Sequence, residues 1–142
     1  MAVTQNIILV EDDPTQAQWL AEDILWKIDP GFSIRYFDSE HSIKAALDKN
    51  EFKDWNPNHA IVDLLVRYYS PQDLEEPEVD ATSHKEEIAE EAGIRIRNAI
   101  KQKFRDTKIA IVTVMDGQPA GGLVIQKGSD NLYNKLERFL SS

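Results

Sequence analysis

Asn6-Ile-Ile-Leu-Val-Glu-Asp-Asp-Pro14 changes character twice in nine residues. Ile7 to Val10 is a continuous apolar run, the pattern of a strand covered on both faces rather than on one. Glu11, Asp12 and Asp13 stop it. Asp13 and Pro14 then suit a helix start: an N-cap, followed by proline where a missing N–H is tolerated. Ala17, Leu20, Ala21, Ile24 and Ile28 recur at helical spacing until Asp29-Pro30-Gly31 ends the run. A buried strand that turns through acids into an amphipathic helix is the opening unit of a parallel sheet, because parallel neighbours need a crossover.

The same alternation continues outward. Ser33-Ile-Arg-Tyr-Phe37 reads as a strand near a sheet edge, and Ser39 caps a short helix carrying Ile43, Ala46 and Leu47. Asn56-Pro57-Asn58 is a turn. Ala60-Ile-Val-Asp-Leu-Leu-Val66 is a second buried strand with one acid inside it. Ile96, Ala99, Ile100 and Phe104 mark the next helix, whose base-rich end at Lys101 to Arg105 suits the negative end of the helix dipole. Ile109-Ala-Ile-Val-Thr-Val114 is a third buried strand. A Gly- and Pro-rich loop leads to the short strand Leu123-Val-Ile125, and Ser129 caps a last helix with Leu132, Leu136 and Phe139. The expectation is one domain over residues 1–142: an α/β fold with a doubly wound, parallel, five-stranded sheet.

The chain is long enough for one sizeable core. Lys and Arg number 16 against 25 Asp and Glu, for a net charge of −9. That balance argues against a nucleic-acid backbone as the main partner and disfavours an anionic membrane surface. The charge is uneven. Ser70 to Ala92 holds nine acids against one base, so all but one unit of the net charge falls in an acidic insertion at about 70–92. Its plain reading is a solvated insert. Ser83–Glu91 reads as an N-terminal extension of the third helix, with Ser83 as cap. The sharper reading is a lid or docking element, since the segment leaves the sheet beside Asp63, so that removing Pro71–Asp80 changes the chemistry at that strand end more than stability. There is no cysteine, which excludes disulfides, thiolate nucleophiles and cysteine zinc sites. No leader pattern or membrane-length apolar run is present, and a cytoplasmic protein is expected. The three histidines share no metal-ligand spacing and read as solvent or loop residues; the three tryptophans read as packing or surface residues. No nucleotide-binding glycine motif occurs.

Parallel sheets of this kind take ligands at the carboxyl ends of their strands. Those ends carry Glu11, Asp12 and Asp13, then Asp63, Thr113 and Lys127. Asp13 is read as a helix cap. Clustered carboxylates need a cation, and hard oxygen donors suit Mg. A lysine and a threonine supply what phosphoryl oxygens need. An aspartate beside the metal can attack phosphorus and form an acyl phosphate. Acids also suit a helix N-terminus for electrostatic reasons alone, but an acid within a buried apolar strand is costly unless it is paired or functional.

Ile7-Ile-Leu-Val-Glu-Asp-Asp-Pro14, Ala60-Ile-Val-Asp-Leu-Leu65, Ala92-Gly93-Ile94, Ile109-Ala-Ile-Val-Thr113 and Val124-Ile-Gln-Lys127 together resemble the receiver domain of two-component response regulators. The resemblance covers the chain except Ser70–Ala92. It implies a flavodoxin-like fold with Asp63 as phosphoacceptor. It further implies Mg held by Asp12, Asp63 and the Leu65 main-chain carbonyl, with Glu11 acting largely through water. Thr113 is implied as hydrogen-bond donor to the phosphoryl group and Lys127 as its ionic partner. The implied partner is a histidine kinase or histidine phosphotransfer protein. The implied activity is self-phosphorylation and autodephosphorylation rather than metabolic catalysis, in a stand-alone regulator acting through protein–protein contacts.

The departures from the pattern are equally specific. Only 14 positions separate Thr113 from Lys127, so the family's fourth helix is expected to be missing or reduced. Val124 stands where an aromatic switch residue is common, Val114 where a small residue is common, and Gly128 where proline is usual, so the bond before Gly128 is expected to be trans. Two other readings stay open. One is a phosphorylation-independent interaction module with the same fold. The other, ranked last, is a Mg-dependent phosphohydrolase, which usually needs a second acid where Leu65 stands.

Overall fold

Strand β1 (Asn6–Val10) lies between β2 (Ser33–Phe37) and β3 (His59–Asp63); β4 (Lys108–Thr113) follows β3, and β5 (Leu123–Gln126) completes the sheet. Every pairing is parallel and the order is β2-β1-β3-β4-β5, the expected doubly wound flavodoxin-like arrangement. The computed structural model describes residues 5–71, 73–75, 88–89, 92–113, 123–128 and 131–142.

Alternation along the strands sorts the core into two layers. Ile7, Leu9, Ile61, Ala110, Val112 and Ile125 face one side, where helix α1 (residues 14–28) and helix α4 (Leu132–Leu140) cover them. Ile8, Val10, Ala60, Val62 and Ile109 face the other, under α2 (Glu40–Asp48), α3 (Ala92–Lys103), Phe52 and Trp55. Helix α1 begins as Pro14–Gln18, widens into a π-helical stretch over Trp19–Leu25 and ends with Trp26–Ile28. The widening brings Leu25 into the core with Leu20, Ala21 and Ile24, although the sequence periodicity skips it. Ser39 caps α2 as expected, its hydroxyl accepting the Ser42 N–H at 3.0 Å. Trp55 is buried, with its indole N–H on Ser33, whereas Trp19 and Trp26 are exposed.

Three expectations are corrected. Strand β3 ends at Asp63 and does not run on to Val66. The chain bends at Leu64 and Leu65, and Val66–Arg67 instead pairs antiparallel with Ile88–Ala89. Asp63 is therefore at the strand's end rather than inside it. The same pairing puts Ile88–Ala89 in a short strand, so those two residues do not extend α3; the rest of the proposed extension, Ser83 included, lies outside the described residues apart from these two. His59, read as a solvent or loop residue, is the buried first residue of β3, packed edge-to-face on Phe139.

The start of the acidic insertion is not simply solvated. Ser70 and Asp73 are buried. The Asp73 carboxylate accepts the Ser39 hydroxyl and, at 2.8 Å, the Ser70 N–H, while the Ser70 hydroxyl accepts the Asp73 N–H at 3.1 Å. The His41 N–H donates to the Tyr68 carbonyl at 2.8 Å. Residues 66–71 and 73–75 thus lie as a strap across the N-terminus of α2.

Four major helices are described. Residues 114–122, with Val114 and the Gly- and Pro-rich loop, lie outside the described residues, as does Ser129; those nine residues are the whole connection between the parallel β4 and β5. A helical crossover uses at least about 10–12, which agrees with a reduced helix count. Among the described residues no peptide bond is cis, so the bond before Gly128 is trans. Among the described residues no helix is long and apolar enough to cross a membrane.

Candidate functional site

Register brings the carboxyl ends of the strands together. Val10 pairs with Val62, so Glu11 and Asp63 follow on adjacent strands. Asp63 pairs with Val112, which places Thr113 just beyond it, and Thr113 pairs with Gln126, just before Lys127. The Lys127 N–H donates to the Thr113 carbonyl at 2.8 Å, extending the ladder by one residue. Thr113 itself is buried at the end of β4.

The centre of the site is the Lys127 ammonium. It donates to Glu11, to Gln16 Oε1 at 2.8 Å and to Asp63 Oδ2 at 3.3 Å. Glu11 is only 1% exposed. Its own burial comes first in pushing its carboxyl up to about 7, with Asp63's carboxylate adding to the rise and Lys127 opposing it. Asp12 is also raised, by burial and then by the charge of Glu11. The Arg67 N–H counters this by donating to Asp12 Oδ2 at 3.2 Å. The strap is thereby tied to the site as well as to α2. Asp13, as expected, caps α1 by accepting the Thr15 N–H at 2.9 Å.

One carboxylate oxygen from each of Glu11, Asp12 and Asp63 lies within 4.8 Å of the others, and this is the metal-competent acid cluster found among the described residues. Three hard oxygen donors so close are suited to a divalent cation, which relieves the repulsion that burial intensifies. Leu65 lies two residues beyond Asp63, in the bend that follows β3.

That bend is held by α3. A Cβ on Gly93 would stand 2.5 Å from the Asp63 carbonyl oxygen and 2.7 Å from Leu64 Cα, so only glycine allows the helix to approach this closely. The Gly93 N–H donates to the Leu64 carbonyl at 3.0 Å. Ala92-Gly93-Ile94 thus positions Asp63 from behind. The next residue of α3, Arg95, joins it to α2 through two hydrogen bonds to fully buried Glu40, at 2.7 and 2.9 Å, and Glu40 also makes a 2.9 Å ion pair with Lys44 of its own helix. These partners hold the Glu40 carboxyl below its ordinary value despite burial.

Gln16 was not singled out from the sequence. It is the third residue of α1, and side chains of a helix's first turn lean toward its N-terminus, here toward the strand ends. A polar residue at that position of the first crossover helix was the available signal. Tyr36, on the edge strand, likewise reaches in to donate its hydroxyl to the Glu11 carbonyl at 2.7 Å.

No protein-family model matches the chain, and no curated protein matches it. Solved structures do. A CheY-like response regulator receiver domain protein from Methanospirillum hungatei is 14% identical, with a TM-score of 0.61 over 98% of this chain and 95% of that one. The bacteriophytochrome response regulator AtBRR is 14% identical, with a TM-score of 0.65 over 99% and 92%. A response regulator from Burkholderia pseudomallei, solved with a phosphorylated aspartic acid and a calcium ion, is 13% identical, with a TM-score of 0.58 over 93% and 64%. Sheet order, register and these likenesses agree that the chain has the CheY-like fold of response regulator receiver domains.

Proposed function

We propose that this chain is a receiver in two-component phosphorelay signalling. Asp63 accepts a phosphoryl group from a histidine kinase or a histidine phosphotransfer protein in a Mg-dependent reaction, and the phosphorylated domain acts through protein–protein contacts. The observation that carries this reading is the Lys127 ammonium seated on both Glu11 and Asp63, beside three mutually close carboxylates. An Asp63 oxygen attacks phosphorus, the P–N bond to the donor imidazole breaks with its electron pair leaving on nitrogen, and Asp63 becomes an acyl phosphate. Lys127 pairs with a phosphoryl oxygen and the Thr113 hydroxyl donates to another. Glu11, Asp12, Asp63 and the Leu65 carbonyl are the groups that would hold Mg, which when bound offsets the negative charge gathered there. Self-phosphorylation and autodephosphorylation make up the chemistry, with no turnover of a metabolic substrate, and the place of action is the cytoplasm.

The test is to incubate the protein with Mg and acetyl phosphate and to look for the mass of one added phosphoryl group. The wild type gains it and Asp63→Asn does not; wild type and variant equally inert would overturn the proposal. A second reading, a phosphorylation-independent interaction module, is favoured by the saturation of Lys127, whose three donors all have partners. Partner binding indifferent to Asp63→Asn would select it.

A further inference from the structure

An ammonium group has three N–H donors and no acceptor. Those of Lys127 meet three oxygens, on Glu11, Gln16 and Asp63. Two belong to the acid cluster. The third is neutral and comes from a helix. Facing a pure donor, the Gln16 amide must present its oxygen. From the third position of a helix, a glutamine commonly turns back to the N-cap main-chain N–H. Gln16 instead reaches a residue 111 positions away, just past the opposite end of the sheet's sequence. It is half-buried and belongs to neither apolar layer, so core packing does not account for its placement.

We propose that Gln16 is a positioning residue for Lys127, fixing its ammonium between Glu11 and Asp63 so that one N–H stays directed at the phosphoacceptor. The proposal deepens the phosphoacceptor reading and rests on it. Without Gln16, the ammonium is held by two carboxylates alone, and buried Glu11 is the nearer. Phosphorylation of Asp63 alters one of those two, leaving Glu11 to draw the ammonium away from the phosphoryl oxygens. A helix-borne neutral oxygen resists that displacement and adds no fourth negative charge to the cluster. The contact with Asp63 is the longest of the three, and so is the first to give way to a phosphoryl oxygen.

The test uses the full chain, labelled with 15N, in three forms: wild type, Gln16→Met, which keeps the length and loses the acceptor, and Gln16→Glu, which keeps an acceptor oxygen. The wild type shows a slowly exchanging Lys127 ammonium resonance, assigned by its loss in Lys127→Arg. Gln16→Met broadens it into solvent exchange and Gln16→Glu retains it. With acetyl phosphate, Gln16→Met lowers kcat about tenfold, the effect of one hydrogen bond to a charged group. KM and Mg affinity stay unchanged, because Gln16 is neither a metal ligand nor a donor contact. A Lys127 resonance as sharp in Gln16→Met as in the wild type, or an unchanged kcat, would overturn the proposal. Should wild type and Asp63→Asn be equally inert to acetyl phosphate, the phosphoacceptor reading falls, and with it the catalytic role, while the resonance still decides whether Gln16 holds Lys127.

Discussion

Substituting Gly93 by alanine tests the packing that places Asp63, independently of any function. The added methyl would lie 2.5 Å from the Asp63 carbonyl oxygen, 2.7 Å from Leu64 Cα and 3.1 Å from the Leu64 carbonyl oxygen. All three neighbours are backbone, so none can rotate away, and either the N-terminus of α3 or the bend after β3 must move. Overpacking of this kind costs about 1–3 kcal/mol. The 3.0 Å bond from the Gly93 N–H to the Leu64 carbonyl stretches with it, at about 1 kcal/mol. Alanine's better helix propensity returns up to about 1 kcal/mol. The expected net loss is about 1–3 kcal/mol, read in urea unfolding as a lower midpoint at unchanged slope, a shift of roughly 1 M. Gly128→Ala is the control: a Cβ there meets nothing within 4 Å, and stability stays within about 0.5 kcal/mol. If Gly93→Ala proved as stable as the wild type, or if the two variants behaved alike, the close approach of α3 to Asp63 would be refuted.

Further predictions concern charge and the strap. Arg95→Ala removes two of the three contacts on fully buried Glu40 and should lower stability by about 2–3 kcal/mol in thermal or urea unfolding, whereas Lys44→Ala removes a single ion pair within α2 and should cost under about 1 kcal/mol. Glu11, pushed up to about 7 from an ordinary 4.5, lets the folded protein hold a proton that the unfolded chain has released. Its contribution is therefore present below pH 4.5 and lost as pH rises to 7. Without added metal, wild-type stability measured against Glu11→Gln should fall by about 3 kcal/mol across that window. Asp73→Ala strips a buried N–H and a hydroxyl of their acceptor and should cost about 1–3 kcal/mol; faster hydrogen exchange at the Ser70 amide would report it.

What the sequence disclosed and what it concealed divide along the line between local and distant causes. Ile7–Val10 is legible as a doubly covered strand because burial on both faces leaves a continuous apolar run, and the caps at Asp13 and Ser39 act within three residues of themselves. The acids of the site were legible because they interrupt apolar runs at strand ends. The end of β3 was not. Leu64, Leu65 and Val66 are as apolar as the strand before them, and the break is imposed by Gly93 and by pairing with Ile88–Ala89, both more than 20 residues downstream. The burial of His59 is likewise set by Phe139, and the task of Gln16 by Lys127. Each of these depends on a partner that no local pattern names.

The acidic insertion changes meaning on the same grounds. Read as charge alone, it is a solvated segment whose removal spares stability. Asp73 contradicts that for the segment's beginning, because its carboxylate takes donors from both α2 and the strap and is buried while doing so. Deleting Pro71–Asp80 would remove this latch together with the charge, and any change in phosphorylation would be confounded by a loosened bend beside Asp63. Charge and latch are separable. Exchanging Glu76, Glu78 and Asp80 for glutamine keeps Asp73 and removes three negative charges. Phosphorylation by acetyl phosphate, a small anion, and by a histidine phosphotransfer protein can then be compared in the same variant. A change confined to the protein donor assigns the charge to partner recognition. A change shared by both donors assigns it to the field at the acid cluster, and no change in either refutes a role for that charge in phosphotransfer.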